Sequence, residues 1–275
     1  MKILLVSLTF ILNGAFDSLK GQTLVNPVVE FKFNGDLSDS KNNVSNALNY
    51  GASFTTNRFG IVNSALKYTG TGGYAKIAGL NNVLNGATEL TISGWYLFST
   101  PAPNSPYHWA TGFKTASPSI GLGVFVDGSP NYGIGVHEGT TGDVYTNARM
   151  TNLLNSWNQI VLVLKVNSLP ALYLNGVAQT WAAPGSPQAP TALSAPIQFN
   201  SDYGLGVQFM DGGVDFGASE NNSYGAISDL KFYTAALNNN QVQNLYTNES
   251  IPEPSAFSLL AVGLGVVLRR RRRTV

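Results

Sequence analysis

The sequence predicts an all-β domain: two antiparallel sheets packed as a sandwich, with one short C-terminal helix. The first observation is compositional. Of 275 residues, 44% are apolar, enough to fill a sizeable core, and only 11% are charged, under half the roughly 25% usual for soluble domains. Glycine (29) and asparagine (28) take the place of charge. That mix suits many turns and a neutral polar surface, and it argues against a helical bundle or coiled coil. The second observation is spacing: short strand-like runs recur between turn residues, without the βαβ alternation of a parallel sheet. The third is that a single segment reads as a helix.

Taken in order, Val28 to Phe33 alternates apolar and polar residues. Ser64 to Tyr68 and Tyr74 to Ile77 flank Thr69-Gly70-Thr71-Gly72-Gly73, read as a glycine-rich hairpin connection. Glu89 to Phe98 carries Leu90, Ile92, Trp95 and Leu97 in the mixed pattern of a buried strand, and Ile120 to Val126 and Tyr132 to Val136 are strands interrupted by glycine. Trp157 to Val166 is almost continuously apolar, as a strand covered on both faces would be, so Trp95 and Trp157 are both expected in the core. Ala171 to Leu174 meets Asn175-Gly176, the strongest short hairpin signal, because both residues tolerate positive φ. Ile197 to Phe199, Gly204 to Phe209 and Gly225 to Tyr233 complete the strands. Asn238 can cap a helix reaching Tyr246, with Leu237, Val242 and Leu245 as its small apolar face. Pro184 to Pro196 reads as a surface loop, since the strands after it are needed to complete the sheets.

Zero cysteines exclude disulfides, zinc-thiolate sites, iron–sulfur clusters and a cysteine nucleophile. The formal net charge of +1 conceals segregation, because seven of sixteen basic residues sit at the ends, at Lys2, Lys20 and Arg269 to Arg273. Between Gln22 and Ile251 there are nine Lys and Arg against thirteen Asp and Glu, a net of −4. A mildly acidic body without a basic face argues against nucleic acid as a partner.

The two ends read as addresses. Lys2 is followed by the apolar run Ile3 to Leu12 and then by small residues, the layout of a secretory signal peptide, too short to span a bilayer. Cleavage is placed after Gly21. At the other end Ile251-Pro252-Glu253-Pro254 breaks any preceding helix. Thirteen uncharged residues follow, Ala256 to Leu268, and then Arg269, Arg270, Arg271, Arg272 and Arg273. Thirteen helical residues rise about 20 Å against a hydrocarbon core of about 30 Å, a marginal span. The arginines would hold that end in the cytoplasm and leave the domain outside. These three parts in order resemble the PEP-CTERM sorting signal of Gram-negative bacteria. The resemblance implies recognition by an exosortase-type sorting enzyme at the inner membrane, transient anchoring there, and delivery to the cell surface or extracellular matrix. The chain thus divides into a signal peptide (1–21), a β-sandwich (22–250) and a sorting tail with a short membrane helix (251–275).

The body carries a second resemblance. Phe31-Lys32-Phe33-Asn34-Gly35-Asp36-Leu37-Ser38-Asp39-Ser40, then Arg58-Phe59-Gly60 with Ser64-Ala65-Leu66, open it. Leu90-Thr91-Ile92-Ser93-Gly94-Trp95, Trp157-Asn158-Gln159-Ile160, Leu172-Tyr173-Leu174-Asn175-Gly176 and Gly225 to Tyr233 continue it, and Val242 to Tyr246 closes it. These pieces, in this order, resemble a laminin-G-like, concanavalin-A-like jelly roll over about 220 residues. One such sandwich hosts lectins, adhesion modules and hydrolases, so the resemblance implies a fold more than an activity.

Three chemistries are weighed on that fold. Glycoside hydrolysis needs two carboxylates flanking the sugar bond, and no strand carries two at even spacing; Asp211-Gly-Gly-Val-Asp215 is the nearest approach, and its glycines suggest a turn. His108 and His137 are too few for a metal-hydrolase cluster, and Gly-x-Ser-x-Gly is absent. A non-catalytic role is therefore expected. The oxygen-rich loop Asp36 to Asn42 is of a type that suits calcium. It has two readings: a structural calcium held by Asp39 and Asn42, or a polar turn that caps itself with Asx hydrogen bonds. The related pattern places an Asp near the closing strand where this chain has Ser228, with Asp229 one residue later and thus on the other face. For sugar binding, Tyr107, Trp109 and Trp181 are the ligand-contact candidates, with Tyr132 and Tyr145 beside them; core packing is the other reading of both tryptophans. The expectation is an exported, non-catalytic surface or matrix protein binding polysaccharide or another surface protein. A carbohydrate-active enzyme on the same fold and a purely structural matrix protein are the rivals.

Overall fold

The computed structural model describes residues 25–69, 72–99, 107–114, 120–125, 133–138, 142–149, 153–181, 192–199, 202–207, 209–210 and 224–252. The signal-peptide and sorting-tail readings, Glu253, Pro254 and the five arginines among them, lie outside these residues. The strands are β1 (Val29–Phe31), β2 (Leu48–Tyr50), β3 (Ser53–Thr55), β4 (Ala65–Thr69), β5 (Tyr74–Ile77), β6 (Glu89–Phe98), β7 (Tyr107–Lys114), β8 (Ile120–Phe125), β9 (Gly133–Glu138), β10 (Gly142–Arg149), β11 (Trp157–Lys165), β12 (Ala171–Leu174), β13 (Val177–Ala178), β14 (Tyr203–Leu205), β15 (Phe209–Met210) and β16 (Tyr224–Tyr233). Among the described residues two helices accompany them, the single turn α1 (Asn81–Leu84) and α2 (Asn239–Glu249).

The strands form two sheets of eight, the sandwich expected from the sequence. The first sheet runs β13-β12-β11-β6-β16-β4-β3, with β1 also on β16; the second runs β10-β9-β8-β7-β14-β5-β2, with β15 beside β7. Their inner faces meet in one apolar cluster. Leu66, Ile92, Tyr96, Ile160, Leu162 and Phe232 come from the first sheet, and Ala75, Ile77, Tyr203 and Leu205 from the second. Each large side chain withdrawn from water there contributes about 1.5–3 kcal/mol. The hydroxyls buried with them are partnered: Tyr203 Oη donates to Thr111 Oγ1 at 3.0 Å. Burial pushes the Tyr96 and Tyr203 phenols well above their ordinary pKa.

A second, smaller cluster lies on the outer face of the first sheet. Val161, Val163, Tyr173 and Tyr233 pack there under Leu237, Val242 and Leu245. Asn238 caps α2 as expected: its side chain accepts from the Gln241 amide, and the Gln241 side chain accepts in return from the Asn238 amide. The helix runs on past Tyr246 to Glu249, and that extra turn positions a buried carboxylate described below.

The structure corrects several element readings. Ser64–Tyr68 and Tyr74–Ile77 are not a hairpin, because β4 belongs to the first sheet and β5 to the second. The connection leads from one sheet to the other, and Gly73 in it lies close to Gly51: a Cβ on Gly73 would sit 2.9 Å from the Gly51 carbonyl oxygen, and one on Gly51 would sit 2.2 Å from the Gly72 carbonyl oxygen. Ile197 and Phe199 are buried without joining a sheet. Trp157 is half-buried at the start of β11. Trp95 is buried, but under α2 rather than between the sheets. Strands β2, β3, β7 and β10 were not read from the sequence. The first two are only three residues long, and the last two mix polar residues into the pattern. Asn175 (φ 51°) and Gly176 (φ 77°) form the expected two-residue turn between β12 and β13.

Candidate ligand-binding face

Antiparallel pairing places residues from distant parts of the chain side by side on the second sheet. One register row reads Leu48, Lys76, Gly204, Gly112, Gly121, His137, Asp143 across β2, β5, β14, β7, β8, β9 and β10. A neighbouring row reads Trp109, Gly123, Gly135, Tyr145 across β7 to β10. Because successive strand residues alternate between faces, these two rows share one face. Between them run Thr111, Leu122, Val136 and Val144 on the opposite face, where Thr111 is buried in the core. An irregularity in β7 between Trp109 and Thr111 keeps Trp109 and Gly112 on the same face although they are three residues apart. Tyr107 pairs with Phe125, two residues from Gly123, and belongs to that face as well.

The geometry this gives is specific. Trp109 and Tyr145 stand three strand steps apart, about 14 Å at the usual strand spacing. The two positions between them are glycines, which add no side chain to the floor. In the adjacent row His137 and Asp143 pair directly. Sequence spacing missed that pairing, since the partner comes from the next strand rather than from the next residue. The register thus brings to one face the residue types that suit sugar recognition, aromatic, carboxylate and imidazole, with glycines between them.

The other candidates lie elsewhere. Trp181 follows β13 at the edge of the first sheet, packs against the main core and donates its indole N–H to the Pro170 carbonyl at 2.9 Å. It does not join Tyr107 and Trp109. Asp39 is buried, and its carboxylate accepts the amides of Glu30 (2.8 Å), Lys41 (2.9 Å), Asn43 (2.8 Å) and Val44 (3.2 Å). Asn42 is exposed, with φ 58°, and its amide donates to the Asp39 carbonyl. This is the geometry of the self-capped turn. Among the described residues no group of three His, Asp or Glu converges to hold a metal ion.

The residues near Asp229 belong to a polar clamp on the outer face of the first sheet. Its pairing with β6 shifts between Ser228 and Lys231, and Asp229 takes φ 51°. This bulge overrides simple alternation, so Ser228 and Asp229 both accept from Arg58 Nη1, at 3.1 and 2.5 Å. The guanidinium lies 4.3 Å from the ring centroids of both Phe59 and Trp95 and donates to the Glu249 carbonyl. The Glu249 carboxylate accepts from Trp95 Nε1 (2.8 Å), Gln159 Nε2 (2.9 Å) and Lys231 Nζ (2.5 Å). Burial alone would lower the Lys231 pKa, but Glu249 beside it holds the ammonium above its ordinary value. Glu30, opposite Lys231 in register, is held below the usual carboxylate value: burial opposes this, and the Ser40 hydrogen bond and Lys231 outweigh it.

Two further concavities occur among the described residues. One of about 390 Å³ runs along Asn85 to Glu89, where the Glu89 carboxylate is engaged by Lys165 and the Ala236 amide. The other, about 110 Å³, is the mouth of the Arg58–Asp229 clamp. Neither gathers aromatic residues as the second sheet does.

A family model described as the concanavalin A-like lectin/glucanases superfamily, Laminin_G_3, matches residues 69–243. No curated protein matches the chain in sequence. Among solved structures, domain 4 of AbnA, a GH43 extracellular arabinanase from Geobacillus stearothermophilus in complex with arabinotriose, is similar at 17% identity and TM-score 0.53, covering 82% of this chain and 100% of that one. The binding domain of Paraclostridial Mosquitocidal Protein 1 is similar at 13% identity and TM-score 0.60, with 82% of this chain covering 52% of that one. A Trypanosoma rangeli sialidase in complex with 2,3-difluorosialic acid is similar at 14% identity and TM-score 0.59, covering 86% and 35%. The chain therefore spans about half of the binding domain and a third of the sialidase. At these identities the likeness is one of fold.

Proposed function

The chain belongs to the concanavalin A-like lectin/glucanase superfamily, and from that premise we propose that it is an exported, non-catalytic surface or matrix protein whose second sheet binds glycan. The observation that carries the reading is the register row that sets Trp109 and Tyr145 on either side of Gly123 and Gly135, next to His137 and Asp143. The whole-length match to an arabinanase domain crystallised with arabinotriose supports a carbohydrate as the ligand class. Binding is preferred over hydrolysis on the sequence, where no strand carries two carboxylates at even spacing, the pair that glycoside hydrolysis uses. The signal-peptide and Pro-Glu-Pro readings of the termini support export and exosortase-type sorting.

A glycan array probed with the full chain, in calcium and in chelator, tests this. Saturable binding is expected, lost on Trp109→Ala at an unchanged melting temperature and insensitive to chelator. Binding that requires calcium would support the metal reading of Asp39 and Asn42. No binding in either buffer, from a folded and monodisperse sample, would overturn the glycan reading and leave a structural or protein-binding role. For sorting, replacing Pro252, Glu253 and Pro254 by alanine is expected to hold the protein in the membrane fraction; unchanged delivery to the medium or cell surface would sink that part.

A further inference from the structure

At the β2 edge of the same sheet lies a second constellation, in which Tyr74 is packed against the core while its neighbours face outward. Tyr50 pairs with Tyr74 in register, and their rings stack at 4.9 Å with 9° between planes. Tyr50 remains 42% exposed, and Leu48, its neighbour on the same face, 49%. The stack fixes the orientation of an outward aromatic surface, so little ordering is left for a ligand to impose. Lys76, next on that face of β5, places Nζ 5.7 Å from the Tyr50 ring centroid and 2.8 Å from Asp202 Oδ2. That hydrogen bond holds the ammonium above its ordinary pKa. An ammonium only donates and a carboxylate only accepts. Lys76 also hydrogen-bonds Tyr50; side by side, the ammonium and the carboxylate can serve adjacent hydroxyls of one sugar, and their charges cancel.

Resting on the glycan-binding reading, we propose that Tyr50, Tyr74, Lys76 and Asp202 form a separate subsite for a neutral sugar residue. A ligand carboxylate would have to displace Asp202 from Lys76, whereas sugar hydroxyls can add to the pair. Lys76 is four strand steps from His137, about 19 Å, with Gly204, Gly112 and Gly121 between them. A ligand touching both places must be a chain of sugars, not one.

Affinity electrophoresis of the full chain through gels containing arabinan, dextran or polygalacturonate tests this. At least one of the two neutral polymers is expected to retard the protein. Tyr50→Ala and Asp202→Asn should each weaken that retardation about tenfold, the size of one charge-assisted contact, and Tyr50→Phe should weaken it less. Should Tyr50→Ala fail to fold by circular dichroism, Asp202→Asn decides. Unchanged retardation in both variants, with loss in Trp109→Ala, would overturn the subsite and leave the parent reading intact. Preferential retention by polygalacturonate would overturn the neutral class. A folded protein retarded by neither arabinan nor dextran would overturn the parent reading and this one with it.

Discussion

The two sheets share one core and treat their outer faces in opposite ways. The first sheet hides its outer face beneath α2 and fills it with mutually satisfied charges: Arg58 with Asp229, and Lys231 with Glu249 and Glu30. The second sheet sets glycines at the centre of its outer rows and aromatic or titratable residues toward their ends. A face whose charges already hold one another has little left to offer a ligand, although the buried Ser93 Oγ and Gln159 Oε1 there lack a partner. On the proposed reading, one side of the molecule serves stability and the other recognition, and that contrast can be broken from either side.

The largest effect is expected at Glu249→Ala. It strands Trp95 Nε1 and Gln159 Nε2 and leaves the partly buried Lys231 ammonium with Glu30 alone, at 3.5 Å, and loss of one partner from a buried polar network costs about 3 kcal/mol. Urea unfolding should show the lowered midpoint while glycan binding by the folded fraction is unchanged; altered affinity would mean the two faces are coupled. Acidification should act on the same clamp. The folded pKa of Glu30 lies below 4.5, so its contribution is complete above about pH 4.5 and is lost as pH falls through the folded value. Lys231 is raised above 10.5, so its contribution holds below that value and is lost only as pH rises through the higher folded one. Melting temperature should therefore plateau near neutral pH and fall below about pH 4.5, with a shallower acid limb in Glu30→Gln.

Asn238→Ala removes the helix cap and should cost about 1 kcal/mol, read as a small fall in denaturant midpoint. Smallest of all is Lys165→Ala. Its partner Glu89 is a third exposed and Lys165 itself 54% exposed, so the change should stay within about 0.5 kcal/mol. A larger loss there would show that the sheet edge matters more than its exposure indicates.

How much of this was legible in the chain depended on whether the relevant neighbours were local. The Asn175-Gly176 turn and the Asn238 cap act within four residues, and each could be read directly. The crossing between β4 and β5 could not, because a glycine-rich link serves a hairpin and a layer change equally well. What decides between them is the approach of Gly72 to Gly51, which is set by tertiary packing. Trp109 and Tyr145 could be nominated singly, yet their common row depends on the register of four strands. Tyr50, Tyr74, Lys76 and Asp202 left no signal at all, as they come from three separate segments and a strand of three residues. Asp229 misled for a definite reason: the rule of alternating faces holds only until a bulge adds a residue, and the left-handed backbone there is not written in the residue type.

The clamp around Glu249 also has a mechanical meaning. Its carboxylate engages β6 through Trp95, β11 through Gln159 and β16 through Lys231, while its carbonyl engages Arg58. Tension applied to the chain beyond Ser250 would meet three adjacent strands at once. The sheet would then be loaded across several strands at once rather than peeled one backbone hydrogen bond at a time.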